Sequence, residues 1–289
     1  MEIKITTLAE NTVASIDLLA EWGISILVEA YGVKVLLDTG LSISAVHNAD
    51  NLGIDLSTVD KIVLSHGHFD HTGGLRNVLL RMGKLSGVIR ESRGVEVMAH
   101  PDIFASKYFC PRGGGERYIG MPFSREELES LGARFHLNAK PVEINDKIMT
   151  TGEIAMTTGF EQVDPDLYVR EGDSWYPDKL PDDQALLIKT DFGLVVILGC
   201  GHRGVINTLL HAQKLTGIKS IHTVIGGTHL FDAPKEQISP TIAALKEFGI
   251  QRLGVSHCTG LPAAALLAQE FGDAFFFNNA GTQITLPTV

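Results

Sequence analysis

Residues 65–75 read Ser-His-Gly-His-Phe-Asp-His-Thr-Gly-Gly-Leu and follow directly on the apolar run Lys61–Leu64. Three imidazoles and one carboxylate lie within six positions of this stretch: His66, His68, Asp70 and His71. If the apolar run is a buried strand, the chain turns at Gly67 and enters a helix near His71–Gly74, so these side chains leave one strand-to-helix junction together. Desolvating four such groups is costly without a cation, and the pattern therefore predicts a metal site on a loop.

The donor types narrow the choice of metal only partly. Neutral imidazole and carboxylate suit Zn, Mn, Fe or Ni, and the sequence does not choose among these ions from this loop alone. The competing interpretation is a polar loop whose histidines only form hydrogen bonds. That interpretation is the better one for a single histidine, but it explains a run of this density poorly.

The overall composition is that of a globular protein. The chain has 289 residues, of which 44% are hydrophobic and 20% are charged, and it can bury one large core or two modest ones. The formal net charge of −10 argues against a nucleic-acid partner or an anionic membrane surface. A small anionic substrate is compatible with this charge, because one or two bound divalent metals would reverse its sign locally.

The amino terminus and the cysteines bear on the cellular compartment. The first seven residues, Met-Glu-Ile-Lys-Ile-Thr-Thr, resemble an opening strand and lack the apolar core of a signal peptide, and no apolar run approaches the ~20 residues of a membrane span. Three scattered cysteines, Cys110, Cys200 and Cys258, fit reduced thiols rather than a disulfide framework. We therefore expect a cytoplasmic protein, and a homo-oligomer is compatible with the sequence.

Strand-like and helical segments alternate in a way that predicts an α+β fold. Paired strands come first and helices are interleaved with strands later, so we expect two sheets packed face to face with helices outside. Helices are predicted at Val205–Leu215, at Pro262–Phe271 and around Ile238–Phe248. The strand-like runs are Ile24–Glu29, Val33–Leu37, Lys61–Leu64, Val95–Ala99, Ala185–Lys189, Leu194–Leu198, Ile221–Ile225 and Leu253–Ser256.

Two longer segments interrupt this pattern. Residues 103–132 are predicted to be a loop followed by a short helix that Ser124 caps, with Glu127 at the third position, and residues 160–183 are predicted to be a second loop. We expect one domain over 1–289 with these two insertions. Long loops beside a metal site commonly form substrate walls, although a plain surface excursion is an equal alternative.

Several other strand ends carry polar side chains next to glycine, as expected when strand ends converge on one pocket. Asp38 begins Asp-Thr-Gly and is interpreted as a carboxylate that orients a metal-bound histidine. Cys200 and His257 are candidate ligands, and His202 and His229 follow strands in the same way. The remaining histidines, His47, His100, His136, His211 and His222, are expected to be structural, with His100 a candidate for the pocket lining.

The H-x-H-x-D-H loop, the preceding Asp-Gly strand end and the later strand-end ligands together resemble the metallo-β-lactamase superfamily. The resemblance implies a four-layer αββα sandwich with one or two metals at a sheet edge. It assigns His66 and His68 to the first metal, and Asp70, His71 and His257 to the second. Where the family usually has a bridging aspartate, this chain has Cys200. The family's His-Thr-x-Gly element, which completes the first metal site, is missing from this chain, and His202 or His229 would take its place.

A narrower resemblance spans nearly the whole chain and includes Gly-Cys-Gly-His-Arg-Gly at 199–204, Gly-Gly-Thr-His-Leu at 226–230 and His-Cys-Thr-Gly at 257–260. These motifs look like the metal-dependent hydrolases related to dihydropterin ribofuranosylaminobenzene-phosphate synthase. That subgroup implies a transferase that joins a pterin-methyl diphosphate to a ribosylated aniline phosphate.

The leading hypothesis is accordingly an enzyme in which one or two divalent metals, zinc first, activate water or hold a phosphate or diphosphate group. Asp70, His202 and His229 are the candidate catalytic residues, and Arg203 beside a helix amino terminus is the candidate contact for a phosphorylated substrate. The alternatives are a general metallohydrolase of phosphodiesters, thioesters or lactones and a non-catalytic metal-binding protein. A nuclease and a di-iron oxygen reductase are disfavoured, the latter because this chain has His68 where those relatives carry glutamate.

Overall fold

The computed structural model describes residues 2–83 and 94–288, which divide into two compact units. The first unit lies within Met1–Asn138, Pro165–Asp182 and Asn279–Pro287, and the second lies within Ala139–Asp164, Asp183–Asn278 and Thr288–Val289. Both units mix strands with helices, in agreement with the predicted α+β class.

The strands are numbered in chain order. They are β1 (Glu2–Ala9), β2 (Ser25–Ala30), β3 (Val33–Leu37), β4 (Lys61–Val63), β5 (Val95–Ala99), β6 (Lys107–Phe109), β7 (Arg117–Tyr118), β8 (Ala133–Leu137), β9 (Ile148–Thr150), β10 (Leu167–Glu171), β11 (Ser174–Pro177), β12 (Ala185–Thr190), β13 (Gly193–Leu198), β14 (Ile221–Gly227), β15 (Arg252–Ser256), β16 (Phe275–Phe277) and β17 (Gln283–Pro287).

The α-helices are α1 (Ser44–Asn51), α2 (Phe69–Thr72), α3 (Leu75–Gly83), α4 (Arg125–Ser130), α5 (Val205–Thr216), α6 (Lys235–Glu247) and α7 (Leu261–Phe271). Short 3-10 turns occupy Leu56–Thr58, Pro101–Phe104, His257–Thr259 and Gly272–Ala274. None of the helices in the described ranges is long and apolar enough to cross a bilayer.

The first unit is built on a sheet of order β17-β1-β2-β3-β4-β5-β8. Strands β2 and β3 form an antiparallel hairpin, whose tight turn places Tyr31 and Gly32 at φ values of 49° and 77°. Strands β4, β5 and β8 then add in parallel. Alternate side chains of these strands, such as Leu36 and Ile62, are buried in one apolar core with Val78 of α3.

The second unit has a sheet of order β16-β15-β14-β13-β12-β9 with its own core. Strands β12 and β13 pair antiparallel, and β14, β15 and β16 add in parallel. Helices α5, α6 and α7 contribute Leu209, Leu245 and Leu267 to this core, each fully buried. In both sheets the parallel strands point their carboxyl ends to one edge, where ligands of such sheets commonly bind.

The two predicted loop insertions are wrong as loops. Residues 103–132 contain β6 and β7, residues 160–183 contain β10 and β11, and these strands pair in the order β11-β10-β6-β7. The pairing that joins the two segments, between β6 and β10, was hidden because its partners lie about 60 residues apart in the sequence. The cap is confirmed, since Ser124 Oγ accepts the N–H of Glu127 at 3.1 Å ahead of α4.

The helix expected near His71–Gly74 begins earlier than predicted. Helix α2 starts at Phe69 and α3 starts at Leu75. Between them the chain passes very close to the Asp-Thr-Gly turn, because a Cβ on Gly73 would lie 2.2 Å from the Leu41 oxygen and one on Gly74 would lie 1.9 Å from the Thr39 oxygen. The paired glycines therefore serve close backbone packing as well as the turn.

Candidate metal centre

The H-x-H-x-D-H loop of the first unit gathers its four donor side chains in a buried place. His66 and His71 are fully buried, and His68 and Asp70 are 6% and 8% exposed. The His66 ring centroid lies 4.5 Å from that of His68 and 4.1 Å from that of His71. The structure thus brings together the residues that the sequence predicted as the main cluster.

Asp38 orients two of these rings. Its Oδ2 lies 2.7 Å from Nδ1 of His71, and it also accepts the hydroxyl of Ser65 at 2.7 Å. Ser65 Oγ in turn lies 2.9 Å from Nδ1 of His66. An ionised carboxylate can only accept hydrogen bonds, so this series of hydrogen bonds assigns the proton to Nδ1 of both His66 and His71. The Nε2 lone pairs of both rings are then left for a ligand. Asp38 thus lies behind the candidate ligand His71, and its role toward a bound metal stays a prediction.

The spacing of these donors fits a divalent cation. Nε2 of His71 lies 3.9 Å from Oδ2 of Asp70. An imidazole lone pair and a carboxylate oxygen facing each other at this distance repel unless a cation lies between them, and bonds of about 2 Å to one ion would span it. The donor set of imidazoles and carboxylate is that of Zn, Mn, Fe or Ni.

The backbone of the loop is held from two sides. The N–H and hydroxyl of Thr39 both donate to the His71 carbonyl oxygen, at 2.8 and 2.9 Å. On the other side Asp182 Oδ2 accepts the N–H of Gly67 at 2.8 Å. Gly67 has no room for a side chain, because a Cβ would lie 2.6 Å from the Ile103 oxygen. These contacts fix the backbone of the loop.

Asp182 belongs to a buried ion network that sequence reasoning missed. Lys107 Nζ lies 2.8 Å from Oδ2 of Asp178 and 2.9 Å from Oδ1 of Asp182. Burial lowers the pKa of Lys107, but the two carboxylates outweigh it and raise the value overall. Burial raises the pKa of Asp182, and the charge of Asp178 adds to this effect, while the Lys107 ammonium opposes it only in part. No sequence signal marks this trio, since its members are up to 75 residues apart.

The second unit has two overlapping clusters at the ends of β13, β14 and β15. Donor atoms of Cys200, His202 and His229 all lie within 4.8 Å of one another, as do those of Cys200, His257 and Cys258. The ring centroids of His202 and His229 are 4.0 Å apart. The structure thus places Cys200 close to His202, His229 and His257, as the strand-end argument predicted. It also places Cys258 in this cluster.

Cys258 is a member of this cluster that the sequence does not single out as a ligand. Its Sγ lies 3.2 Å from the Cys200 carbonyl oxygen and accepts the N–H of His229 at 3.3 Å. Burial raises the pKa of Cys258, but the hydrogen bond with Cys200 and the charges of His257 and His229 outweigh burial and lower the pKa to about 5. A thiol lowered in this way suits a soft or borderline metal. The position of Cys258 directly after the candidate ligand His257 is the sequence signal that could have identified it as part of the site.

The backbone at these positions is strained. Asp38, His229 and His257 have φ values of 57°, 49° and 51°, in the left-handed region that side chains other than glycine rarely adopt. Such conformations persist where the surrounding structure enforces them, and they concentrate at functional sites. Gly227 allows the crowding nearby, because a Cβ there would lie 2.6 Å from Cys258 Sγ.

The amino terminus of α5, beside the predicted substrate contact Arg203, already has an anionic partner. Oε1 and Oε2 of Glu161 accept the N–H groups of Ile206 and Asn207, each at 2.8 Å. The anion at this helix terminus is therefore a carboxylate of the chain itself. Burial raises the pKa of Glu161 although these amides oppose it. The Arg203 backbone N–H donates to Asp183 Oδ2 at 2.8 Å, and its side-chain role stays a prediction.

The comparisons with known proteins agree with this geometry. The family model described as the metallo-beta-lactamase superfamily matches residues 24–205. The chain belongs to this superfamily. A 7,8-dihydropterin-6-methyl-4-(beta-D-ribofuranosyl)-aminobenzene-5'-phosphate synthase of Methanocaldococcus jannaschii is 33% identical over 293 residues, covering 96% of this chain and 95% of the relative.

Solved structures show the same fold. Tm1679, described as a metal-dependent hydrolase of the beta-lactamase superfamily, is 29% identical, with a TM-score of 0.81 and 98% of each chain covered. A diphosphatase from the PhnP family is 14% identical with a TM-score of 0.56, covering 99% of this chain and 98% of that one. These likenesses confirm the metallo-β-lactamase fold, the predicted αββα class.

Proposed function

We propose that this metallo-β-lactamase superfamily member is a metal-dependent transferase resembling the dihydropterin ribofuranosylaminobenzene-phosphate synthase. It would act on a small, anionic, phosphorylated substrate in the cytoplasm. The observation that carries the proposal is the buried loop cluster with its Nε2 lone pairs oriented by Asp38 and Ser65. The relative's similarity along nearly the whole chain supports the choice of reaction.

The proposal assigns one or two divalent ions to the predicted ligands, with zinc first because thiols accompany the imidazoles. The ligands would be His66, His68, Asp70, His71, Cys200 and His257. Bound metal would supply charge to hold a diphosphate or lower the pKa of water. Asp70 would orient the nucleophile, His202 and His229 would steady developing charge, and the Arg203 guanidinium would pair with a phosphate.

The decisive experiment is a synthase assay on the purified, metal-loaded chain. The substrates are the pterin-methyl diphosphate and the ribosylated aniline phosphate, and the product and the released diphosphate are quantified together. We expect equal amounts of both, loss of both after chelation, and recovery with zinc. Diphosphate release without the joined product would show hydrolysis and contradict the transferase assignment.

A general metallohydrolase is the second candidate, because the 29% identical Tm1679 structure is described as a metal-dependent hydrolase. A panel of phosphodiester, thioester and lactone substrates tests it, again before and after chelation. Turnover on one class with no synthase product would favour the hydrolase. Tight metal binding with no turnover on any substrate would leave the non-catalytic metal-binding alternative.

A further inference from the structure

A second feature of the first unit lies beside the metal loop and has no role in the proposal so far. It is a cavity of about 380 Å³, within the size range of small-molecule sites. Its lining is mainly apolar and aromatic, with one cationic side chain: Leu41, Phe69, Gly73, Arg117, Tyr118, Gly120, Pro122 and Phe123. Most of this lining comes from the segment 103–132, whose strands give it a fixed wall.

The wall is tied directly to the metal loop. Phe69 lies between the predicted ligands His68 and Asp70, and its backbone N–H donates to the Ile119 oxygen at 2.8 Å. Ile119 in turn donates its N–H to the Lys107 oxygen at 2.9 Å. A group held against the Phe69 ring is therefore held at a fixed place relative to the backbone of the loop.

The cation of the cavity is available to a ligand. The Arg117 guanidinium carbon lies 5.5 Å from the Phe69 ring centroid, so the planar group rests over an aromatic face. Within residues 2–83 and 94–288, no carboxylate forms an ion pair with Arg117. In a chain with a net charge of −10, an arginine that pairs with no carboxylate of the described residues and lies beside an apolar cavity favours an anionic ligand.

The aromatic walls set the remaining chemistry. Tyr118 is fixed because its hydroxyl donates to the Met121 oxygen at 2.8 Å and its ring packs edge-on against Tyr108. Gly120 allows this arrangement, since a Cβ there would lie 2.7 Å from the Tyr118 hydroxyl oxygen. Rings of Phe69, Tyr118 and Phe123 offer flat apolar contacts, which planar rings match better than flexible chains.

We propose that this cavity binds a planar aromatic ring that carries a phosphate or carboxylate, with Arg117 pairing with the anion and Phe123 contacting the ring. The inference rests on the proposed function and deepens it, because the ring would be the non-reacting part of the substrate. Binding energy from such a remote group orients the reacting centre. This would give the segment 103–132 the role of a substrate wall, one of the two alternatives that the sequence left open.

The test is titration calorimetry on the metal-loaded protein with phenyl phosphate as the probe. Inorganic phosphate lacks the ring and phenol lacks the anion, so both should bind about ten-fold more weakly or worse. Arg117→Gln should weaken the binding of phenyl phosphate about ten-fold. Phe123→Ala should weaken the binding of phenyl phosphate several-fold and leave the affinity for inorganic phosphate unchanged. Nuclear Overhauser contacts from the phenyl protons to Tyr118 report the position.

Arg112→Gln is the matched control, because Arg112 is an exposed arginine of the same segment outside the cavity lining. Equal weakening by Arg112→Gln and Arg117→Gln would show general charge attraction and overturn the proposal, as would unchanged binding in Arg117→Gln. Synthase turnover with an unaltered KM in Arg117→Gln would overturn the proposed ligand site in the cavity, while the proposed function would stand. Arg117-dependent binding without any synthase turnover would support the cavity and overturn the proposed function instead.

Discussion

The two units of the molecule have sheets of the same plan but carry different donors. In each, an antiparallel hairpin is followed by two parallel strands, β2-β3-β4-β5 in the first and β12-β13-β14-β15 in the second. Candidate residues follow the matching strands: Asp38 and Cys200 after β3 and β13, His66 and His229 after β4 and β14, and His100 and His257 after β5 and β15. The sheet plan thus fixes where side chains can gather, and the residue at each place decides the chemistry.

The units also differ in how they hold these side chains. The first unit uses carboxylates, since Asp38 fixes the rings and Asp182 fixes the loop backbone. The second unit instead places two thiols, Cys200 and Cys258, close to His257, while strained backbone occurs in both units, at Asp38 in the first and at His229 and His257 in the second. We infer that the first cluster binds hard and borderline ions alike and that the second selects the softer ones.

The largest effect is expected in the cluster of the first unit. His66→Ala should remove one metal and nearly all turnover while leaving the fold, because the strands build the core and His66 lies on a loop. Metal analysis, activity and circular dichroism measure the three quantities. His136→Ala, which alters a half-exposed histidine bonded to Glu96, is the control. Wild-type metal content in His66→Ala would refute the assignment.

The buried ion network tests whether the first unit depends on carboxylates. Lys107→Met leaves Asp178 and Asp182 uncompensated and should lower the free energy of unfolding by about 3–5 kcal/mol, measured by urea denaturation. Lys61→Met breaks a partly exposed pair with Glu96 and should cost about 1 kcal/mol or less. Similar losses in both variants would mean that the network does not support the loop as described.

Thiol chemistry distinguishes the second unit from the first. Cys200→Ser should reduce zinc affinity by about ten-fold or more and change manganese affinity much less, because thiolate prefers the softer ion. Competition with chromophoric chelators measures both affinities. Cys110→Ser, at a half-buried thiol of the first unit, should change neither. An unaltered zinc-to-manganese ratio in Cys200→Ser would return this cysteine to a packing role.

The smallest effect concerns the division of labour between His202 and His229. Both rings lie in the Cys200 cluster, but His202 lies beside the start of α5 and Arg203. We expect His229→Ala to lower the bound metal and His202→Ala mainly to raise KM for a phosphorylated substrate. Metal lost in His202→Ala with intact metal and activity in His229→Ala would show that the two roles are reversed.

Elements with a strong local signal were predictable. The runs at 33–37 and 95–99 became strands with the predicted bounds, and the Ser124 cap formed, because burial patterns and caps act within a few residues. The sheet of β6, β7, β10 and β11 was missed, since strands of two to five residues have little or no periodicity of their own. Glu161 at the start of α5 was missed because it comes from 45 positions away.

The sequence by itself determined the loop cluster of His66, His68, Asp70 and His71, its superfamily and the α+β class, since these depend on donors close together in the chain. The sequence also indicated Asp38 as an orienting carboxylate, but tertiary structure alone decided which atoms Asp38 and the other supporting residues contact. Asp38, Ser65, Lys107 and Asp182 act through hydrogen bonds that form only when distant strands fold together. It also decided that Cys258 joins Cys200 and that Glu161 occupies the helix terminus, because burial and distance are properties of the folded chain.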